Sequence, residues 1–282
     1  MKILVSYKQK YIKKCEELDR IKEIYETKIK QLEKDNNKLR LSIINSKTAK
    51  NGYNEERLVC EDLNNKKEIR QLFKEIVYDE CFQNKGNSKI DILSKNMELT
   101  AQVKKYKDKV FQQLDRHWVD DFVKSIPNLY TISKILKNLC EIPISDDGIH
   151  VDKSQNRKLL STENYTTETL ENFINVLNNN KRQILEYVFY GKDQNMKPKY
   201  LIAVQYVNKI RKKIKFFKMN NIILFLMNKN FEISKSKSVV SLGKSLSFQR
   251  KGGDCGKKSS NQLQFKIVIS SLDIDTSFEY NL

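Results

Sequence analysis

The first part of the chain carries an apolar stripe that repeats every seven residues. The stronger series consists of Tyr11, Leu18, Tyr25, Leu32 and Leu39. A weaker, partly polar series lies three residues before each of these and consists of Lys8, Cys15, Lys22, Ile29 and Asn36. No glycine or proline occurs within residues 8–43, so the pattern predicts one long helix with coiled-coil character. Its stripe would either pair with a second copy of the chain or pack on the main domain.

The heptad pattern is expected to end near residue 45. The segment "NSKTAKNGY" at 45–53 is polar and contains the first glycine of the chain, which is typical of a break between elements. We therefore expect two domains. The first is a helical, heptad-patterned extension over residues 1–45, and the second covers residues 46–282.

A helix is expected to resume at Asn54. Three apolar residues of "NEERLVCEDL" would share one side of it: Leu58, Val59 and Leu63. Glu55 and Glu56 would occupy its first turn, where the helix dipole favours acidic side chains. A further helix is expected over residues 66–82.

The apolar period changes to two between residues 90 and 104. In "SKIDIL", Ile90 and Ile92 alternate with Asp91. In "LTAQVKKY", the apolar positions are Leu99, Ala101 and Val103, and the polar positions between them are Thr100, Gln102 and Lys104. Such alternation is typical of strands, and a polar turn at 94–96 separates the two segments. The region therefore predicts a hairpin or two consecutive strands.

The remaining patterns indicate a mixed architecture. Helices are expected at 110–124, 130–140, 167–178 and 181–190, with a loop over "SDDGIHVDKSQN". Strands are expected at 199–207, where "KYLIAVQYV" is strongly apolar, and at about 238–250 and 261–269. Helices and strands in this order predict an α/β fold with a mixed central sheet flanked by helices.

The balance of charge indicates a polyanionic partner. Lysine and arginine number 53 against 35 aspartate and glutamate, which gives a formal net charge of +18. A field of that sign attracts nucleic acid, the commonest polyanion in a cytosol. A codon bias towards lysine is the alternative cause, but it would also enrich glutamate, which does not keep pace here.

Membrane, secreted and zinc proteins do not fit the sequence. The longest apolar run, "IILFLM" at 222–227, is too short to cross a bilayer and predicts a buried element. The N-terminus lacks the apolar segment of a signal peptide, so we expect a cytoplasmic protein. Five scattered cysteines and two histidines have no zinc-site spacing, which favours free thiols.

Three polar residues of the predicted hairpin form a candidate catalytic set. Gln102 and Lys104 would lie on one face of a strand, about 7 Å apart, and Asp91 would join them if the two strands pair. An acid and an amide oxygen can bind a divalent cation, and a lysine can stabilise charge on a phosphate. Taken alone, the residues are better explained as a solvated strand face. Glu98 has the same parity as Gln102 but lies too far along the strand to share an ion.

Three blocks of sequence resemble the HinP-type type II restriction endonucleases, small enzymes of the PD-(D/E)xK nuclease superfamily that cut GCGC. The blocks are "SKTAKNGYNEERLVCEDL" (46–63), "IDIL" followed by "AQVKKYKDKVFQQLDRHW" (90–118), and "SFQRKGGDCGKKSSNQLQFKI" (247–267). The strand "KYLIAVQYV" also resembles a family strand. The order of the blocks agrees with the family and the similarity extends over about 46–274, so the resemblance is specific.

The resemblance implies roles for four side chains. Asp91 matches the metal-binding aspartate, and Gln102 matches the glutamine that stands where the superfamily usually has an acid. Lys104 matches the catalytic lysine, and Glu56 matches a helix glutamate that faces the site. Mg²⁺ would be held by Asp91, Gln102 and the backbone carbonyl of Val103. The spacing from Asp91 to Gln102 is shorter than the family pattern.

The block at 247–267 would read DNA. Arg250 and Lys251 suit guanine O6 and N7, while Gln249 and Asp254 can pair with bases or accept from cytosine N4. Lys257 and Lys258 suit phosphates, which fix register without reading sequence. Without the resemblance, this block would be read as a basic turn in solvent. Three residues after the catalytic strand also resemble DNA contacts: Lys109, Gln112 and Gln113.

The sequence thus predicts a type II endonuclease that cuts duplex DNA at a specific site with Mg²⁺ and leaves 5′-phosphates. A cognate DNA methyltransferase would be a genetic partner. His117 and Trp118 are expected to be a structural, buried pair on a helix. Two other functions stay open, namely a basic coiled-coil DNA-binding protein without catalysis and a non-specific or repair nuclease on the same fold.

Overall fold

The computed structural model of the chain describes residues 2–66, 68–69, 80–84, 89–140, 158–192, 196–251, 262–275 and 278–282. It separates into two compact units, Met1–Tyr53 and Asn54–Leu282. None of the helices in these described segments is long and apolar enough to span a membrane.

Helix α1 (Lys2–Asn65) carries residues of both units. It continues through 45–53, so the helix break predicted there is wrong. Serine, asparagine and a single glycine lower helix propensity by less than about 1 kcal/mol each, which flanking helix formers can offset. In the second unit, Val59 and Leu63 on α1 are buried against the first of two sheets.

The first sheet has six strands in the order β1-β2-β3-β5-β6-β11. They are β1 (Cys81–Gln83), β2 (Ile92–Ser94), β3 (Thr100–Tyr106), β5 (Tyr200–Val207), β6 (Ile210–Lys218) and β11 (Phe278–Asn281). Strand β3 pairs antiparallel with β2 and parallel with β5, so the sheet is mixed, as predicted. The predicted hairpin and the strand at 199–207 are confirmed.

The second sheet has five antiparallel strands in the order β4-β10-β9-β8-β7. They are β4 (Gln112–Trp118), β7 (Phe231–Ile233), β8 (Val239–Leu242), β9 (Leu246–Arg250) and β10 (Gln262–Ile267). The strand predicted at 238–250 is in fact two strands, β8 and β9. Gly243, with φ +56°, occupies the turn between them in a conformation that favours glycine.

The second unit as described also contains two 3₁₀ helices, Pro127–Ile132 and Ile269–Ser271. Its five further α-helices are α2 (Val119–Ser125), α3 (Ser133–Cys140), α4 (Thr167–Asn179), α5 (Lys181–Tyr190) and α6 (Met219–Met227). Helices α4 and α5 confirm the predictions at 167–178 and 181–190. Helix α6 confirms that "IILFLM" belongs to a buried element, because Ile222, Ile223 and Leu226 are inaccessible to solvent.

Alternation along β5 divides the apolar core in two. Leu201 and Ala203 contribute to a cluster with helices α2–α6 and the second sheet. Tyr200, Ile202 and Val204 point the other way, into a cluster with the end of α1. The first sheet is therefore covered on both faces at β5, which explains why this strand begins with a continuous apolar run.

Two predicted helices are wrong in part. Residues 112–118 form strand β4 rather than the first half of a helix, and the helix begins only at Val119. Cys81 and Phe82 lie in strand β1 instead of the helix predicted at 66–82. Strand β6 was not anticipated, because its lysine-rich first half carries little apolar signal. Cys60 is a buried free thiol.

Candidate active site

The β2–β3 hairpin brings Asp91 beside Gln102. Ile92 pairs with Ala101 in the antiparallel register, so Asp91, one residue before β2, lies opposite Gln102. The Asp91 backbone N–H donates to the Ala101 carbonyl at 2.8 Å and extends the ladder by one residue. The short spacing between Asp91 and Gln102 is accommodated by a tight turn in which Met97 has φ +61°.

The Asp91 carboxylate is held by the backbone of β3. Its Oδ2 accepts a hydrogen bond from the Val103 N–H at 2.7 Å. Burial raises the pKa of Asp91 above its ordinary value, although the charge of Lys104, the Val103 hydrogen bond and Lys89 oppose this. A bound cation would stabilise the charged form of Asp91, because a nearby positive charge offsets the cost of burying the carboxylate.

The Gln102 side chain presents a polar atom for which the fold supplies no partner. The residue is 4% exposed, and among the described residues its Oε1 is buried without a hydrogen-bond donor. A buried carbonyl oxygen left unpaired costs about 1–3 kcal/mol, so such atoms are uncommon unless they serve a ligand. An amide oxygen beside a carboxylate suits Mg²⁺, a hard cation that prefers oxygen ligands.

Lys104 lies two residues beyond Gln102 on the same face of β3 and is half-buried. Its charge lowers the pKa of both Asp91 and Glu56, which places its ammonium group within the field of both acids. The structure therefore brings together Asp91, Gln102, Lys104 and Glu56.

Two adjacent glutamates on α1 have different environments. Glu56 is half-buried, and its Oε2 accepts from Gln83 Nε2 at 3.3 Å. Burial and then the charge of Asp91 raise its pKa. Glu55 is 1% exposed and its carboxylate lies 2.9 Å from Arg211 Nε and 3.1 Å from Lys105 Nζ. Glu55 is therefore structural, while Glu56 faces the candidate site.

The candidate site differs in composition from a conventional metal cluster. Within the described segments, no three histidine, cysteine, aspartate or glutamate side chains are arranged to hold a metal ion. The set here has two carboxylates, and its third side-chain oxygen belongs to an amide. Glu98 is exposed in the hairpin turn, in line with its exclusion from the set.

A second charged cluster, which the sequence did not reveal, joins this site to the second sheet. Lys89 forms an ion pair with Asp115 on β4, and the same Asp115 oxygen contacts His117 Nε2. Burial lowers the pKa of Lys89. Burial would raise the pKa of Asp115, but the hydrogen bond from His117 and the charge of Lys89 outweigh it, so this pKa is lowered.

The prediction for His117 and Trp118 is wrong in its secondary structure. Both lie on strand β4, so their side chains point to opposite faces. The His117 ring packs 4.6 Å from that of Tyr187, between centroids, whereas Trp118 is 47% exposed. The strand period thus separates two residues that a helix could have buried together.

The hairpin of β9 and β10 frames the block predicted to read DNA. Gln249 and Arg250 are half-buried at the end of β9, and burial lowers the pKa of Arg250. The Lys251 N–H donates to the Gln262 carbonyl at 2.7 Å and continues the pairing. The other three predicted contacts lie outside the described residues: Asp254, Lys257 and Lys258.

The remaining predicted contacts lie along the first half of β4 and the turn before it. Lys109 is exposed with φ +58°, and its N–H donates to Ser270 Oγ at 2.8 Å. Gln112 pairs with Ile267 at one end of β10, whereas Arg250 pairs with Leu263 near the other end. Gln112 on β4 and Arg250 on β9 therefore lie on the two sides of β10.

Comparison with known proteins identifies the family. The family model for the R.HinP1I restriction endonuclease matches residues 63–272. A solved structure of restriction endonuclease MspI in complex with its cognate DNA is similar, with 13% sequence identity, a TM-score of 0.45, and coverage of 76% of this chain and 80% of that chain. Among curated proteins no match is found. Because the matched segment spans well over half of the chain, the protein belongs to the R.HinP1I restriction endonuclease family.

Proposed function

We propose that the protein is a type II restriction endonuclease that hydrolyses phosphodiester bonds of duplex DNA at a specific site and leaves 5′-phosphates. The observation that carries the catalytic proposal is the unpaired, buried Oε1 of Gln102 opposite Asp91. Family membership supports DNA as the substrate, and the net charge of +18 supports attraction to it. The set follows the PD-(D/E)xK pattern, with Gln102 at the position of the second acid.

Three ligands would hold Mg²⁺ at this site: the Asp91 carboxylate, Gln102 Oε1 and the Val103 carbonyl oxygen. When bound, the ion polarises the scissile phosphate and lowers the pKa of a water ligand. The Val103 N–H holds the Asp91 carboxylate in place through its hydrogen bond. The arrangement is therefore set before substrate arrives, which avoids a reorganisation cost during the reaction.

Lys104 and Glu56 would act on the reacting groups. The Lys104 ammonium stabilises negative charge that develops on the phosphate while water attacks phosphorus and the 3′-oxygen leaves. The fragment on the 5′ side of the break then ends in a 3′-hydroxyl, and the phosphate stays on the 5′ end of the other fragment. Glu56 has a raised pKa and would accept a proton from the attacking water, directly or through a second water. The family match begins at residue 63, so the role of Glu56 rests on its position.

We propose GCGC as the target, read in the major groove from the β9–β10 hairpin. Arg250 and Lys251 would donate to guanine O6 and N7, and Gln249 and Asp254 would complete the base contacts. Four side chains would contact the DNA alongside them, with the lysines on phosphates: Lys109, Lys257, Lys258 and Gln112. Gln113, whose Oε1 accepts from Arg116 and Gln264, would support this surface.

Plasmid cleavage tests the proposal. Wild-type protein with Mg²⁺ should give discrete fragments, and sequencing their ends should show 5′-phosphates and one recurrent site. Lys104→Ala should bind the plasmid and leave it intact, whereas Lys107→Ala, on an exposed neighbour, should cut normally. A smear would indicate a non-specific nuclease, and an intact plasmid with wild-type protein would indicate a DNA-binding protein without catalysis.

Three further features belong to the same proposal. Residues 46–282 would form the catalytic and recognition domain, with 1–45 as its helical extension. The enzyme would act in the cytoplasm, where its DNA substrate lies. A DNA methyltransferase of the same specificity would protect the host genome.

A further inference from the structure

The heptad stripe of α1 is open to solvent in the first unit. Its apolar side chains are more than half exposed: Leu18 (64%), Tyr25 (62%), Ile29 (54%) and Leu32 (63%). Large apolar side chains repeated along one helix face expose a continuous surface of the kind that marks an interaction site. Burying such a stripe on a second helix removes it from water and provides the main driving force of coiled-coil association.

The charges beside the stripe are arranged to complement a second copy of the same helix. With Leu18, Tyr25 and Leu32 at heptad position d, position e holds Asp19, Glu26 and Glu33, all acidic. Position g holds Lys14, Ile21, Lys28 and Asp35. Between residues 14 and 33, one flank of the stripe is thus acidic and the other carries two lysines, and these charged residues are exposed.

We propose that two copies of the chain pair through this stripe as a parallel, in-register coiled coil. In that arrangement a residue at g faces the residue at e five positions later on the other helix. Lys14 would face the partner's Asp19, and Lys28 would face the partner's Glu33. Two-fold symmetry repeats each pair, so one sequence satisfies both sides of the interface.

The same charges disfavour the antiparallel arrangement. There, e faces e and g faces g, which would bring the acidic flank of one helix against the acidic flank of the other. Like charges at such positions are repulsive. The orientation therefore follows from the distribution of sign between the two flanks.

The partly polar residues at heptad position a, three before each d residue, limit the stability of the dimer. Lys22 occupies an a position, where a charged residue lowers stability and favours two strands over higher oligomers. Its aliphatic stem can cover the seam while the ammonium group reaches water. The dimer is accordingly expected to dissociate on dilution. This inference does not depend on nuclease activity, since it concerns only the first unit.

Sedimentation of the full-length protein over a range of concentrations tests the inference. Wild-type protein should shift from dimer to monomer on dilution. Lys14→Glu combined with Lys28→Glu turns both lysine–acid g–e pairs of the parallel dimer into like-charge pairs and should raise the dimer dissociation constant at least tenfold. Adding Asp19→Lys and Glu33→Lys to the same chain should restore it, which also shows that loss was not caused by misfolding.

A matched control changes the same charge away from the seam. Arg20→Glu combined with Lys30→Glu alters exposed f and b positions and should leave the dissociation constant within about twofold of wild type. Wild-type protein that stays monomeric at high concentration would overturn the proposal. So would a dimer that Lys14→Glu with Lys28→Glu does not weaken, because an antiparallel pair or another interface would behave in that way.

Discussion

The Oδ2 atom of Asp91 lies 2.7 Å from the backbone nitrogen of Val103 and accepts its hydrogen bond. The candidate metal-binding acid is therefore fixed to the strand that carries Gln102 and Lys104. A carboxylate positioned in this way keeps its place when charged, although burial makes the charged form costly. The free-energy cost of burying the charged Asp91 side chain, and its reduction by a bound cation, can both be measured.

Neutralising Asp91 should stabilise the protein while abolishing cleavage. Burial raises the pKa of Asp91 and of Glu56, so between the ordinary and the raised values the folded protein binds more protons than the unfolded chain. The free energy of unfolding of the metal-free protein therefore falls as pH rises through that window. At neutral pH, Asp91→Asn should raise the melting temperature by about 2–4 °C, equivalent to about 1 kcal/mol.

The exposed Asp273 provides the control for this measurement. Asp273→Asn should leave both the melting temperature and its pH dependence unchanged. If Asp91→Asn lowered the melting temperature at neutral pH, the carboxylate would be stabilising the metal-free fold and the cost assigned to its burial would be wrong.

Two substitutions of Gln102 should distinguish a metal ligand from a packing residue. Gln102→Leu removes the unpaired oxygen, so the metal-free protein should keep or gain stability while the rise in melting temperature with Mg²⁺ is lost. Gln102→Glu adds a buried charge and should lower metal-free stability but enlarge the Mg²⁺ response. Equal Mg²⁺ responses in all three proteins would place the ion elsewhere.

The adjacent glutamates of α1 should respond differently to loss of their partners. Arg211→Met leaves Glu55 and Asp62 without the guanidinium that contacts both, and should destabilise the protein by about 3–5 kcal/mol. Glu56→Gln should leave stability equal or slightly higher, because its pKa is raised, while slowing cleavage. Denaturant unfolding and single-turnover cleavage measure the two effects separately.

The periodic segments near the site were predictable, and the reason is local. Ile92, Leu99, Ala101 and Val103 alternate with polar residues because they all pack in one core cluster, while the other face carries the polar residues of the site. This pattern can be read from consecutive residues. Strand β4 was mistaken for a helix because "QQLDRHW" contains a single apolar aliphatic residue, Leu114, and its strand character comes from pairing with β10.

The charged cluster beyond the site could not have been predicted from spacing. Lys89 precedes β2 of the first sheet, whereas Asp115 lies on β4 of the second sheet. Only the fold brings these two side chains together. Residues 45–53 show the opposite case. Their polar side chains and glycine lower the local helix propensity, but not enough to end α1.

Breaking the link between Lys89 and Asp115 should impair catalysis more than DNA binding. Asp115→Asn leaves the buried Lys89 ammonium without its carboxylate, close to Asp91 and Lys104. We expect kcat to fall about tenfold or more while KM changes less than threefold, because Lys89 lies two residues from Asp91, the proposed metal ligand. Steady-state cleavage of a short duplex provides both constants.

The exposed pair of Asp121 and Lys192 is the matched control. Asp121→Asn removes an ion pair of the same type at the surface and should change stability by no more than about 1 kcal/mol, with normal cleavage. A parallel loss of kcat in both variants would show a general effect of charge rather than a local one.

Arg250 should set the choice of site. Arg250→Ala is expected to lose about 1–3 kcal/mol of discrimination between the cognate sequence and one with a single guanine replaced. Lys251→Ala provides a comparison at the next residue. Cleavage of matched duplexes that differ at one base pair measures the ratio, and an unchanged ratio would remove Arg250 from base recognition.

The position of β3 between β2 and β5 has a consequence for how the enzyme loses activity. Strand β3 pairs with β5 over residues 101–106 and with β2 at Thr100 and Ala101, so we expect its amides to exchange slowly with solvent. Gln102 and Lys104 lie on this strand and should keep their positions until large parts of the sheet open. Inactivation by heat or denaturant should then coincide with global unfolding rather than precede it.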